Sequence, residues 1–236
     1  MKQDNLLVVA AHIGDFVWRC GGAVALHARQ GVNVEILCLS AGARGESGPL
    51  WKSAEATLES VTQQRREEAR AAAAVLGATV TFLDYADWPL PQGSEISYHI
   101  AEAYRRLQPK VVLTHSVNDP ANLDHARTHT MALEARMIAL APGHDRRIIS
   151  NPQFYAFEPH QSELCDFKPN VLLDISEVWH LKKQAMECLP TQQNLWGYYE
   201  SLATQRGSHA GRRAGEAVAK AEAFQRLFPQ VASTLL

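Results

Sequence analysis

The sequence reads as an α/β protein with a Rossmann-like, mostly parallel sheet and helices on both faces. Three features carry that reading. Apolar runs of strand length alternate with amphipathic stretches of helix length along nearly the whole chain. Glycines stand where the intervening helices would stop. The chain has 236 residues, 46% of them hydrophobic, which suits one sizeable core better than two small ones. A single domain over residues 1–236 is therefore expected.

Asn5–Ala11 is the first expected strand, and Val17–Gln30 the first helix, stopped at Gly31. Asn33–Ser40 is the second strand. Ala43–Ser60 shows no periodicity and is long for a connection in a compact domain, the character of a lid or binding loop. A helix over Ser60–Leu76 ends at Gly77, and the strand Thr79–Asp84 follows. Ser94–Leu107 reads as a helix, Lys110–His115 as a strand, Ala126–Ala141 as a helix and Gln153–Glu158 as a strand. Asn170–Ile175 is the sixth strand and Ser176–Leu189 the next helix. Ala203–Gly215 reads as a flexible basic stretch. The last helix, over Arg213–Leu227, would end just before Pro229. Alternation of this kind joins parallel neighbours through helical crossovers.

Composition narrows the function. A net charge of −2 at pH 7 supplies no basic surface for nucleic acid. Apolar runs such as Lys110–Thr114 and Val171–Leu173 are too short to cross a bilayer. The opening "MKQDNLLVVAAH" lacks the long apolar core and small-residue cleavage site of a signal peptide. Cys20, Cys38, Cys165 and Cys188 form no CxxC pair and read as reduced thiols. A cytoplasmic protein is expected.

In open parallel sheets, ligands bind beyond the carboxyl ends of the strands. His12 and Asp15 follow the first strand, Arg44 and Glu46 the second. His115, Asn118, Asp119, Asp124 and His125 follow the fourth strand, and His160 the fifth. Two neutral imidazoles and a carboxylate suit Zn²⁺ or another divalent first-row ion. His12, Asp15 and His125 are the candidate ligands, and three protein ligands leave open positions for chemistry. His129, four residues beyond His125, reads as packing or support. No G-x-G-x-x-G follows the first strand, and no G-x-S-x-G is present.

Several motifs together carry a family resemblance. Ala11-His12-Ile13-Gly14-Asp15-Phe16 is followed by Gly21-Gly22, and later come Asn122-Leu123-Asp124-His125, "RREEARAAAAVLGA" (Arg65–Ala78) and "AEAF" (Ala221–Phe224). With these the chain resembles the PIG-L/LmbE-like family of zinc-dependent N-acetylglucosaminyl deacetylases. The resemblance implies a Rossmann-like fold and a zinc site at His12, Asp15 and His125. Two positions depart from the pattern. Gly14 stands where that family has its general base, the first aspartate of A-H-P-D-D-E, and Asn122 stands where it has the first histidine of H-P-D-H. Glycine has no side chain with which to activate water.

"AHIGDFVWR…GG", "CLSAGARGESGPLW", "LTHSVNDPANLDH" and "FEPHQSE", departures included, resemble one branch, the 4-oxalomesaconate hydratases of bacterial gallate degradation. This resemblance implies a hydro-lyase that adds water to an oxo-tricarboxylate, converting 4-oxalomesaconate to 4-carboxy-4-hydroxy-2-oxoadipate. Glu46 is then the expected base and His160 the partner acid, with the reverse assignment also open. Arg44 and Arg65 or Arg66 would offset the substrate's charge, and His115 and Asn118 would line the site. A homo-oligomer is expected. Two other readings stand beside this one. In the first, a zinc hydrolase removes acyl groups from amines, with Glu46 or Asp124 replacing the missing base. In the second, a metal-binding sensor has lost catalysis.

Overall fold

The structure, a computed structural model, describes residues 3–232. Seven strands form one sheet: β1 (Asn5–Ala10), β2 (Asn33–Ser40), β3 (Thr79–Tyr85), β4 (Val111–Thr114), β5 (Gln153–Phe157), β6 (Val171–Asp174) and β7 (Ala221–Arg226). Their order across the sheet is β3-β2-β1-β4-β5-β7-β6. The first five run parallel, and β7 pairs antiparallel with both β5 and β6. The chain winds outward from β1 to β3, then returns to the other side of β1 for β4. That reversal leaves a crevice beyond the carboxyl ends of β1 and β4.

Among the described residues, the six α-helices are α1 (Asp15–Arg29), α2 (Leu58–Leu76), α3 (Ser94–Leu107), α4 (Leu123–Leu140), α5 (Trp179–Glu187) and α6 (Trp196–Ala214). Strand β1 reads as an unbroken apolar run because both its faces are covered. Leu6, Val8 and Ala10 point into the core shared with α1, α2 and α5, while Leu7 and Val9 join the core under α3 and α4. Among the described residues, no helix is long and apolar enough to cross a membrane.

Helix α1 is broken at Cys20, whose φ of −144° and ψ of 19° are not helical. The Gly21-Gly22 pair follows the break, and such pairs are a common cause of kinks. A Cβ on Gly22 would lie 2.6 Å from Ile175 Cδ1, so only glycine lets α1 approach that wall. The amide N–H groups of Gly22 and Ala23 each donate to Glu222, both at 2.8 Å. Lys182 Nζ donates to Glu222 Oε1 at 2.7 Å and to the Trp18 carbonyl at 2.9 Å. A buried ion pair thus satisfies backbone groups that the broken helix leaves free.

The carboxyl-terminal third corrects the sequence reading. The helix expected over Arg213–Leu227 is absent, and Ala203–Gly215 is not a flexible stretch. Residues 196–214 form α6, and 221–226 form β7. "AKAEAFQR" is rich in good helix formers, but the slot between β5 and β6 makes it a strand, since strand propensity yields to packing context. Gly207 and Gly211, within that stretch, are close-approach positions. A Cβ on either would lie 2.7 Å from Ala219 C or 2.8 Å from Glu216 O. Between β2 and α2, the long segment holds one short 3-10 turn, Leu50–Lys52, and α2 opens with a capping box of Thr57 and Ser60.

Candidate metal centre and cleft

The chain turns sharply between β1 and α1, and this turn aims His12 and Asp15 at one point. Asp15 is the first helical residue, and its Oδ2 accepts the His12 backbone N–H at 2.8 Å. One turn on, Arg19 Nε donates to Asp15 Oδ1 at 3.1 Å. His125 arrives in the first turn of α4. Glu46 arrives on the segment after β2, its Oε1 3.1 Å from His12 Nδ1 and 3.8 Å from His125 Nε2. One ligand atom from each of His12, Asp15, Glu46 and His125 falls within 4.8 Å of all the others.

Each imidazole is backed by a second carboxylate. His125 Nδ1 lies 2.8 Å from Asp119 Oδ2, and His12 Nε2 lies 3.5 Å from Asp124 Oδ2. Carboxylate–imidazole pairs of this kind orient the ring and select the nitrogen that meets a metal. Both ring nitrogens of His12 and Nε2 of His125 are buried without a hydrogen-bond partner. Orphaned buried nitrogens beside two carboxylates are what a divalent cation would satisfy. The donor set fits a metal.

The electrostatics agree. Burial opposes charge on His12, yet Glu46, Asp124 and Asp15 outweigh it and raise its pKa well above 6.5. Against the same burial, Asp15 and Asp119 raise that of His125 to about 9. Asp15 and Glu46 are themselves held below the usual carboxylate range, their burial outweighed by His115 and His125 for the first and by His12 for the second. Without a metal the cluster collects protons, and the same field favours a cation.

The cluster opens into a cleft of about 340 Å³ whose lining includes Arg19, Glu46, Asn122, His160, Gln192 and Tyr199. Glu46 and His160 therefore share one cavity. His160 is half-buried, 4.3 Å from the Tyr198 ring and 5.8 Å from that of Tyr199. Burial, and then Arg19, lower its pKa. Asn122 Nδ2 donates to Glu46 Oε1 at 3.2 Å.

Other expected site residues lie elsewhere. His115 is buried behind His125, its ring stacked at 4.2 Å, and its Nε2 accepts the Ala11 amide at 3.0 Å. Burial lowers its pKa to about 3, so it is a neutral support that does not line the cleft. His129 Nδ1 bonds the His115 carbonyl at 2.8 Å. Asn118 is exposed and outside the lining. Arg44 is exposed too, while its backbone N–H and that of Gly45 are tied to Asp87 Oδ2 at 2.9 and 2.7 Å. Arg65 is fully buried, paired with Glu68, and reaches the cleft only through Gln192. Arg66 pairs with Asp84 on β3, away from the cleft. Asp124 accepts from the Trp88 and Leu90 amides, both at 2.9 Å, and from Arg127. Fully engaged behind His12, it is not placed to activate water.

The sequence reading passed over Arg19, Gln192 and Tyr199. Arg19 had a signal, its i,i+4 spacing from Asp15. Gln192 had none, since its partners Trp18 and Arg65 lie 174 and 127 residues away.

A histidine–carboxylate cluster at the switch point of a mostly parallel sheet, opening into a polar cleft, defines an α/β enzyme able to work through a bound metal. Residues 7–136 match the PIG-L family, described as GlcNAc-PI de-N-acetylase, and the chain belongs to that family. The 4-oxalmesaconate hydratase of Pseudomonas putida KT2440 is 47% identical, covering 99% of this chain and 93% of its own length. A crystal structure of GalB, described as the 4-carboxy-2-hydroxymuconate hydratase of the same bacterium, aligns with a TM-score of 0.96 at 46% identity, covering 99% of this chain and 100% of that one. The diacetylchitobiose deacetylase of Thermococcus kodakarensis is 25% identical over 91% of this chain and 82% of its own.

Proposed function

We propose that the chain is a metal-dependent hydro-lyase of gallate degradation, adding water across the double bond of 4-oxalomesaconate to give 4-carboxy-4-hydroxy-2-oxoadipate. The observation that carries this reading is the 47% identity, end to end, to the hydratase of Pseudomonas putida. The cleft supports it: a carboxylate and an imidazole line one cavity beside the donor cluster, and position 14 offers no side chain.

His12, Asp15 and His125 hold the ion, proposed to be zinc with another first-row divalent metal as the alternative. When bound, it supplies Lewis acidity toward the oxo-acid oxygens of the substrate. Glu46 takes the proton from water. His160 delivers a proton to carbon from the same cleft. Asn122 holds Glu46 in place through one of its two oxygens. Arg44, exposed on the segment that carries Gly45 and Glu46 into the cleft lining, would offset the substrate's charge from outside the cleft. Burial of Tyr199 at 3% exposure helps keep bulk water from the inner end. The four free cysteines suit a cytoplasmic enzyme. A homo-oligomer is the proposed assembly, which light scattering on the purified protein checks.

The test is a metal-loaded assay with the ring-cleavage product of gallate, followed by loss of its conjugated absorbance and by recovery of the hydrated acid. Acetate release from N-acetyl sugars without any hydration would overturn the reading in favour of a deacetylase.

A further inference from the structure

Gly14 caps the amino end of α1 with ordinary right-handed backbone angles, φ −75° and ψ −26°. Its conformation does not call for glycine, but its surroundings do. A Cβ there would lie 2.3 Å from Gln192 Oε1 and 2.7 Å from Trp18 Nε1. The end of the Gln192 side chain occupies the space that any other residue at position 14 would need.

That side chain is pinned. Its Oε1 accepts from Arg65 Nη2 at 2.8 Å and from Trp18 Nε1 at 3.1 Å. Both partners are donors only, so the amide oxygen must face them and the amide nitrogen must face away. Arg65 is itself immobile, fully buried and paired with Glu68, which in turn accepts the Thr191 hydroxyl. The Gln192 Nε2 group is thereby aimed at Glu46 Oε2, 3.5 Å away. Contacts of that length commonly tighten once substrate is bound. Asn122 meets the other oxygen of Glu46. Two neutral amides hold the carboxylate without cancelling its charge, as an arginine in either place would.

We propose that Gln192 is a positioning residue for Glu46. Its amide fills the volume left by Gly14, takes its orientation from Arg65 and Trp18, and fixes the carboxylate that receives the proton from water. Arg65 acts through Gln192 and does not touch substrate. The proposal rests on the hydratase reading for the identity of the reaction, and its test separates the two.

Gln192→Glu preserves the size of the side chain and both contacts to Arg65 and Trp18, and replaces the donor facing Glu46 with an oxygen. Misplacing a reacting group by about an ångström costs on the order of 100-fold. Turnover should therefore fall roughly 10- to 100-fold, with KM, metal content and Tm near wild type. A packing role alone predicts wild-type kcat in this variant, and that result would overturn the proposal. The second measurement needs no activity. Gly14→Ala should lower Tm in the wild-type background and lose a measurable part of that effect in Gln192→Ala, because its Cβ and the Gln192 amide compete for one volume while the Trp18 contact remains. Additive Tm losses would overturn the placement. If the wild type releases acetate and does not hydrate, the hydratase reading fails, and the effect of Gln192→Glu is read on acetate release instead.

Discussion

His12 and His125 differ from surface histidines in what stands on their two sides: a carboxylate behind each ring, and Asp15 and Glu46 in front. His12→Ala, Asp15→Ala and His125→Ala are expected to fold and to lose most of their metal, as measured by elemental analysis after dialysis. Glu46→Gln and His160→Ala are expected to keep the metal and lose about 10²–10⁴ in kcat, the usual share of positioned proton transfer. Loss of metal from Glu46→Gln would instead make Glu46 a fourth ligand. The metal-free protein should carry a pH signature. A folded-state pKa above the unfolded value contributes stability that is present below the unfolded pKa and lost as pH rises through the folded one. For His125 that window runs from 6.5 to about 9, and His12 acts in the same direction. The lowered carboxylates Asp15 and Glu46 act oppositely, contributing stability that is lost only in acid. The Tm of the metal-free protein should therefore fall between pH 6.5 and 9. That of the metal-loaded protein should hold, since the ion replaces the protons. Equal slopes for the two forms would contradict the proposed ligation.

At the scale of elements, the break in α1 is held by groups from two distant parts of the chain, Lys182 on α5 and Glu222 on β7. Both are buried, at 2% and 4% exposure. Removing one partner of such a pair typically costs about 3–5 kcal/mol. Glu222→Ala should show a loss of that order in denaturant melts and should loosen the turn that carries Asp15 and Arg19. Glycines in α6 give a sharper contrast. Gly207→Ala should destabilise, because its Cβ meets the backbone of Ala219. Gly197→Ala meets nothing within 4 Å and should stabilise by up to about 0.5–1 kcal/mol. The two glycines cannot be told apart by residue type. The strand β7 is illegible in sequence for a related reason: its composition favours helix, and only the gap between β5 and β6 selects the strand. The early elements were legible because β1, α1 and β2 carry their periodicity and stops within their own residues.

For the molecule as a whole, the fold places one donor set where three separate segments meet: the turn after β1, the loop after β2 and the start of α4. A ligand that joins them stabilises all three at once. Free metal at about 100 times its Kd is worth about 2.7 kcal/mol, and a chain of this size gains roughly 2–4 °C in Tm per kcal/mol. Chelation should thus lower Tm by roughly 5–10 °C and restored metal should return it, as read by scanning fluorimetry. No change would argue against a metal joining these segments. His12, Asp15 and His125 could be recognised in the sequence because each sits in or beside a motif at a strand end, and strand ends are where parallel sheets bind. Strand-and-helix alternation likewise predicts a parallel sheet, since crossover connections allow little else. Direction and burial of side chains are another matter. Arg44, Arg65 and Arg66 all fall near the rim in sequence, yet one is exposed, one is locked to Glu68 and one turns to Asp84. Gln192 sits in an unremarkable stretch and reaches Glu46 across 146 residues of chain. Local sequence encodes which element forms and roughly where its polar residues emerge. Which charges are already satisfied, and which space is already filled, depends on partners brought together only by packing.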